Sequence, residues 1–196
     1  MGRIRKTILT LLVVGVVGTL AGFGTFSAFT STTDNTGNNF TAGTVVIGDN
    51  DAGTALYNVS NQKPAGTTTT NCIKVSYTGS LDSDVKLYNA SAVNSFGQYV
   101  NLTVTQGTGN NFNCSDFVAD GGAPLYNGDT KAFSTAYPSY ASGLSTYPSA
   151  TPTKWTGGAS PTVTYRFQVQ LQSGTPDSAQ GGTTGSHTYT WEARNQ

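Results

Sequence analysis

Beyond position 43, apolar and polar residues alternate repeatedly along this chain. Val163-Thr164-Tyr165-Arg166-Phe167-Gln168-Val169-Gln170-Leu171 alternates without a slip, which puts odd positions on a core face and even positions on the other. Tyr189, Trp191 and Ala193 alternate with Thr188, Thr190 and Glu192 in the same way. Ile73, Val75 and Tyr77 are interleaved by Lys74, Ser76 and Thr78, and Val100, Leu102 and Val104 by Asn101, Thr103 and Thr105. Val85 and Leu87 flank Lys86, and Val45-Val46-Ile47 is a short β-branched run between Gly43 and Gly48. Turn-forming stretches separate these runs: Gly48-Asp49-Asn50-Asp51, Thr78-Gly79-Ser80, Gln106-Gly107-Thr108-Gly109-Asn110 and Ser173-Gly174-Thr175-Pro176-Asp177. Such punctuated short strands predict an all-β fold, a jelly-roll-like antiparallel β-sandwich.

No stretch beyond residue 27 keeps a helical period over three turns, and residues 80–95 predict a turn of helix at most. Residues 115–160 carry no clean alternation. Tyr137-Pro138-Ser139-Tyr140 and Tyr147-Pro148-Ser149 form a small internal echo there, and Pro and Gly exclude central strands. This region reads as an aromatic-rich surface excursion that covers the core. A binding face for a partner or glycan is the competing reading of its tyrosines.

The first residues follow a different pattern. Arg3, Arg5 and Lys6 precede an apolar run over 8–20, and small residues follow at 22–28. Basic, apolar and then small is the order of a secretory signal peptide. The basic end stays cytoplasmic while the apolar run enters the membrane, and small side chains admit the backbone to the peptidase. Cleavage is expected between Ser27 and Ala28. A retained anchor is the rival reading, but a full span wants about 20 apolar residues and this run is shorter and diluted by Gly and Thr. The predicted organisation is a signal peptide over 1–27, a linker segment over 28–38 and one sandwich domain over 39–196.

The charge balance fits an exported protein. Ten Lys/Arg face ten Asp/Glu, and removing Arg3, Arg5 and Lys6 leaves seven against ten, a formal charge of −3. Clustered basic residues, which nucleic acid requires, are absent, as is the polybasic signature of an acidic membrane surface. The expected contact with a membrane is therefore during export only. Nine Phe, ten Tyr and two Trp argue against disorder, which lacks aromatics. Cys72 and Cys114 are the only cysteines, and in an exported protein such a pair is expected to form one disulfide. It would close a loop of about forty residues and stabilise by a few kcal/mol.

Gly24-Thr25-Phe26-Ser27-Ala28-Phe29, followed by Asp34-Asn35-Thr36-Gly37-Asn38-Asn39-Phe40-Thr41-Ala42-Gly43-Thr44, resembles the processing site and mature start of the TasA/camelysin (CalY) family. Cys72-Ile73-Lys74-Val75, Tyr77-Thr78-Gly79-Ser80-Leu81 and Asp84-Val85-Lys86-Leu87 resemble that family's central strands. The run 165–171, the Gln180-Gly181 pair and the closing Thr188-Tyr189-Thr190-Trp191-Glu192-Ala193 resemble its end. Residues 115–160 and the cysteine pair depart from the TasA pattern.

The resemblance implies a protein cut by a SipW-type signal peptidase before the Ala-Phe pair and secreted to the cell surface or matrix. It implies a homo-oligomeric filament in which an N-terminal strand of one subunit completes a sheet of the next. Ala28, Phe29, Thr30, Ser31, Thr32 and Thr33 are the expected donor strand, since they begin apolar and are rich in β-formers. A frayed terminus is the alternative for 28–38. Two further functions compete with the fibre subunit: a camelysin-type surface metallo-endopeptidase and a monomeric surface adhesin.

The residues offer little to an enzyme. A catalytic zinc takes about three protein ligands, usually with His prominent. His187 is the only histidine and Glu192 the only glutamate; no HExxH is present, and alternation puts these two on opposite faces. No Gly-x-Ser-x-Gly elbow supports a serine triad. Asp49-Asn50-Asp51 and Asp82-Ser83-Asp84 lack the glycine and closing glutamate of a calcium loop and read as turns. Glu192, on a polar face, is a poor buried acid for an isopeptide cross-link. The expectation is no enzyme, no metal and no cofactor. Asn39, Asn58, Asn89, Asn101 and Asn113 begin glycosylation sequons.

Overall fold

The computed structural model describes residues 2–23, 39–147 and 154–196. The chain divides into two compact units, Met1–Thr41 and Ala42–Gln196. In the first, the basic start and the apolar run form one helix, α1 (Arg3–Phe23). Among the described residues no helix is long and apolar enough to cross a membrane.

The second unit is an all-β sandwich of two antiparallel sheets. The larger runs β1 (Ile47–Asp49), β2 (Thr69–Tyr77), β8 (Thr162–Leu171) and β4 (Val100–Thr108), with β5 (Val118–Ala119) and β6 (Tyr126–Asp129) both on the far side of β4. The smaller runs β7 (Leu144–Thr146), β3 (Ser83–Tyr88) and β9 (Thr190–Asn195). A short helix, α2 (Thr130–Ala136), follows β6 directly.

The alternation forecasts the core. Val163, Tyr165, Phe167 and Val169 of β8 meet Ile73, Val75 and Tyr77 of β2 and Leu102 and Val104 of β4 on one inner face. Val85 and Leu87 of β3 supply the other, with Trp191 and Ala193 of β9 packed against them. Rings tie the sheets together, Tyr165 and Phe167 lying 5.3 and 6.0 Å from Trp191. The Tyr77 hydroxyl also crosses the core. It donates to the Leu81 carbonyl at 2.6 Å and accepts from the Ser83 hydroxyl at 2.7 Å.

Two elements differ from the sequence reading. The first strand is not 45–47 but Ile47–Asp49, because Gly48 and Asp49 find partners at Ser76 and Val75 of β2. Residues 115–160, expected as a surface excursion, build part of the sandwich: β5 and β6 extend the large sheet, and β7 extends the small one. Phe133 and Trp155 are both fully buried in the core. Helix α2 forms because the Asp129 carboxylate accepts the Ala132 N–H at 2.7 Å, capping its first turn. Phe133 then packs edge-on against Tyr126, 4.9 Å away.

Candidate functional site

The small sheet has three strands, too few to cover the larger one, and β9 is its exposed edge. Gln196 donates its N–H to the Asp82 carbonyl at 3.2 Å, in register with the β3–β9 ladder. Even-numbered residues of β9 therefore bond to β3, and the backbone groups of Trp191, Ala193 and Asn195 point outward. Among the described residues no strand lies on that side of β9.

The open edge borders a cleft of about 1210 Å³ within the second unit. Ile73, Val75, Val169 and Leu171 contribute apolar surface from the large sheet, and Trp191 lines it from β9. The Trp191 Nε1 is buried with no hydrogen-bond partner.

One end of the cleft is braced by a chain of hydroxyls. Tyr189 donates to the Tyr57 hydroxyl at 2.8 Å, Tyr57 donates to His187 Nε2 at 2.6 Å, and His187 Nδ1–H donates to the Gly185 carbonyl at 3.1 Å. Burial pushes the Tyr57 hydroxyl pKa up to about 12, against a smaller opposing effect of the bond from Tyr189. Burial holds Tyr189 well above its ordinary value as well.

This geometry places the residues singled out in the sequence. His187 lies in the loop before β9, with both ring nitrogens engaged. Glu192 is held elsewhere, accepting from the Tyr88 hydroxyl at 2.9 Å and from Arg194 Nε at 2.7 Å. Among the described residues no three His, Cys, Asp or Glu side chains come together to hold a metal. The donor set around the lone histidine does not fit a catalytic zinc, and no step through one can be derived from it.

Asp49 and Asp51 serve a turn, as expected, but the second aspartate pair does not: Ser83 and Asp84 lie in β3, and both carboxylates bond residues distant in sequence. Asp49 accepts the Asp51 N–H at 3.3 Å and Asp51 the Gly53 N–H at 2.7 Å, while Asp82 accepts the Gly157 N–H at 2.9 Å and pairs with Lys154. Asn89 is 1 % exposed, so a glycan there is incompatible with the fold. Asn58 and Asn113 are exposed.

Cys72 and Cys114 form a disulfide, with Cα atoms 5.2 Å apart. The cleavage pair Ser27 and Ala28, and the segment Ala28, Phe29, Thr30, Ser31, Thr32 and Thr33, lie outside the described residues. What the alternation did not reveal is the open side of β9. Periodicity shows which face of a strand is buried, not which strand ends a sheet.

No curated protein matches the chain. A family model described as camelysin metallo-endopeptidase matches residues 3–108, more than half of the 196-residue sequence. The match takes in helix α1 and strands β1 to β4, and on that extent the chain belongs to the camelysin family.

Proposed function

We propose that this chain is a secreted structural subunit of extracellular fibres or biofilm matrix, assembled by donor-strand complementation after a SipW-type peptidase removes residues 1–27. The observation that carries the reading is the open edge of β9 beside a cleft to which Ile73, Val75, Val169, Leu171 and Trp191 contribute apolar surface. Residues 28–33 of a neighbouring copy would match the six residues of β9 in length. Added there, the strand would satisfy the outward groups of Trp191, Ala193 and Asn195, each bond contributing about 0.5–1.5 kcal/mol. Phe29 would enter the cleft, and burying a phenylalanine contributes about 1.5–3 kcal/mol. Because donor and acceptor are different surfaces, addition does not close on itself and yields a filament.

The test is negative-stain electron microscopy of protein starting at Ala28 beside protein starting at Asn39. Filaments from the longer form alone support the reading; filaments from both overturn it. Phe29→Asp should suppress filaments while leaving the fold intact, and normal filament yield from that variant contradicts the donor strand.

The family's description favours a second reading, a surface metallo-endopeptidase. Stoichiometric zinc together with chelator-sensitive proteolysis would establish it. A protein that stays monomeric and binds a surface ligand would establish an adhesin instead.

A further inference from the structure

The loop carrying Cys114 begins where the family match ends, at Thr108. Besides contacts to Thr164 and Arg166 of β8, the loop reaches the outer edge of β2. Strand β8 pairs along the other side of β2, from Thr69 to Ser76. The Cys72 and Lys74 N–H groups face away from it, and both are occupied. Cys72 donates to the Phe112 carbonyl of the loop at 2.7 Å, and Lys74 donates to Asn50 Oδ1 at 2.8 Å. Asn50 is tied to the same loop, its Nδ2 donating to the Asn110 carbonyl at 2.9 Å. Lys74 Nζ reaches over the edge to Asn110 Oδ1 at 2.7 Å. Strand β1 pairs with β2 from Val75 to Tyr77, so the outer edge is covered from Cys72 to Tyr77.

The loop is held in an unusual shape to do this. Cys114 has φ of 60°, a left-handed conformation that a side chain with a Cβ adopts at a cost of about 1–2 kcal/mol. The disulfide and the Asp116 carboxylate offset that cost. Asp116 accepts the Asn110 and Asn111 N–H groups at 2.8 and 2.9 Å. A bridge that only shortened the unfolded chain would not require a carbonyl and an amide oxygen on successive outward donors of an edge strand.

We propose that the Cys72–Cys114 loop is an edge guard: it occupies the outward donors of β2 and prevents a second copy of this chain from adding a strand there. Unpaired strand edges are templates for association, and covering them is one way native sheets stay soluble. The guard is independent of the fibre reading, since it concerns the opposite sheet.

The unit Ala42–Gln196 holds the whole core and lacks residues 28–38, so its association does not depend on the donor strand. With the bridge intact it should be monomeric by size-exclusion chromatography with light scattering. C72A/C114A should keep its near-ultraviolet circular dichroism and exchange the amides at 72 and 74 about fivefold or more faster. It should also associate in a concentration-dependent manner. Adding Lys74→Pro, which removes an outward donor without breaking the β8 ladder, should restore the monomer. A folded C72A/C114A that stays monomeric with open amides overturns the proposal, as does association that Lys74→Pro leaves unchanged. If C72A/C114A does not fold, Asn50→Ala decides with the bridge in place. Association once the Lys74 amide opens supports the guard, and a monomer with that amide open refutes it.

Discussion

The chain has two tryptophans, and the same substitution should cost much at one and little at the other. Trp155 is fully buried and its Nε1 donates to the Thr146 carbonyl at 2.6 Å. Its backbone also exchanges hydrogen bonds with Ser83 at 2.9 and 3.0 Å, lengthening the small sheet beyond β7. Trp155→Phe removes the donor and leaves a buried carbonyl unpaired, which costs about 1–3 kcal/mol. Loss of roughly 40 Å³ at about 24 cal/mol per Å³ adds about 1 kcal/mol. The sum, about 2–4 kcal/mol, lowers the Tm by roughly 4–16 °C in a domain of this size.

Trp191 is half-buried and its Nε1 has no partner. Trp191→Phe loses similar volume, but it also removes an unpaired buried donor worth about 1–3 kcal/mol of desolvation. The net change should lie within about 1 kcal/mol of zero. Each variant of Ala42–Gln196 retains one tryptophan, so thermal and denaturant unfolding can be followed by fluorescence. Equal destabilisation of the two would refute the reasoning, because Trp155 is fully buried with its indole N–H paired, whereas Trp191 lines the cleft with its N–H unpaired.

Three further outcomes follow from the same geometry. Ala193→Pro removes an outward N–H of β9 while sparing its bonds to β3, so the unit should stay folded by circular dichroism and filaments should disappear from micrographs; undiminished filaments would move the acceptor site elsewhere. Gly107→Ala would drive a Cβ into the Val118 carbonyl of β5, and overpacking of that kind costs about 1–3 kcal/mol, readable as a lower denaturant midpoint at unchanged slope. Backbone N–H groups of Asn111, then Asn110, hold the Asp116 carboxyl below its ordinary range, so its contribution is complete above that range and fades as pH falls through the lowered value. The Asn110 and Asn111 amides should therefore exchange faster, relative to the intrinsic rate, only in strong acid, and Asp116→Asn should abolish that acid step.

The strands with one face in the core were readable because burial imposes a period of two. β2, β8 and β9 announce themselves through Ile73, Val75 and Tyr77, through the run 163–171, and through Trp191 and Ala193. Strands β5, β6 and β7 have two, four and three residues, too short for any period to show. Helix α2, at seven residues, has the same difficulty, although Asp129 ahead of Thr130-Lys131-Ala132-Phe133 was a legible N-cap signal. Gly48 and Asp49 have poor strand propensity and become β1 only because β2 offers them partners. The disulfide followed from the cysteine count and from reading the basic, apolar, small order of the first residues as an expected export signal. The cleft did not, since it is assembled from loops and strands more than a hundred residues apart.

The five short or terminal strands are not equivalent as edges. β1, β5, β6 and β7 have two to four residues each, and so few backbone bonds do not offset the entropy of ordering an incoming chain. β2 is nine residues long and would be the most dangerous edge of all, but β1, Asn50 and the cysteine loop cover it. β9 has six residues, carries no proline or lysine and ends its sheet uncovered among the described residues. Charged side chains, proline, bulges and coverings are the usual protections of an edge; β9 has Glu192 and Arg194 but no proline and, among the described residues, no covering, whereas β2 is covered from Cys72 to Tyr77. A sequence selected only to stay monomeric would have closed both. On the proposed reading, guarding one edge and leaving the other open would give a subunit that adds strands in one place, and single-site addition is what separates an ordered filament from an aggregate.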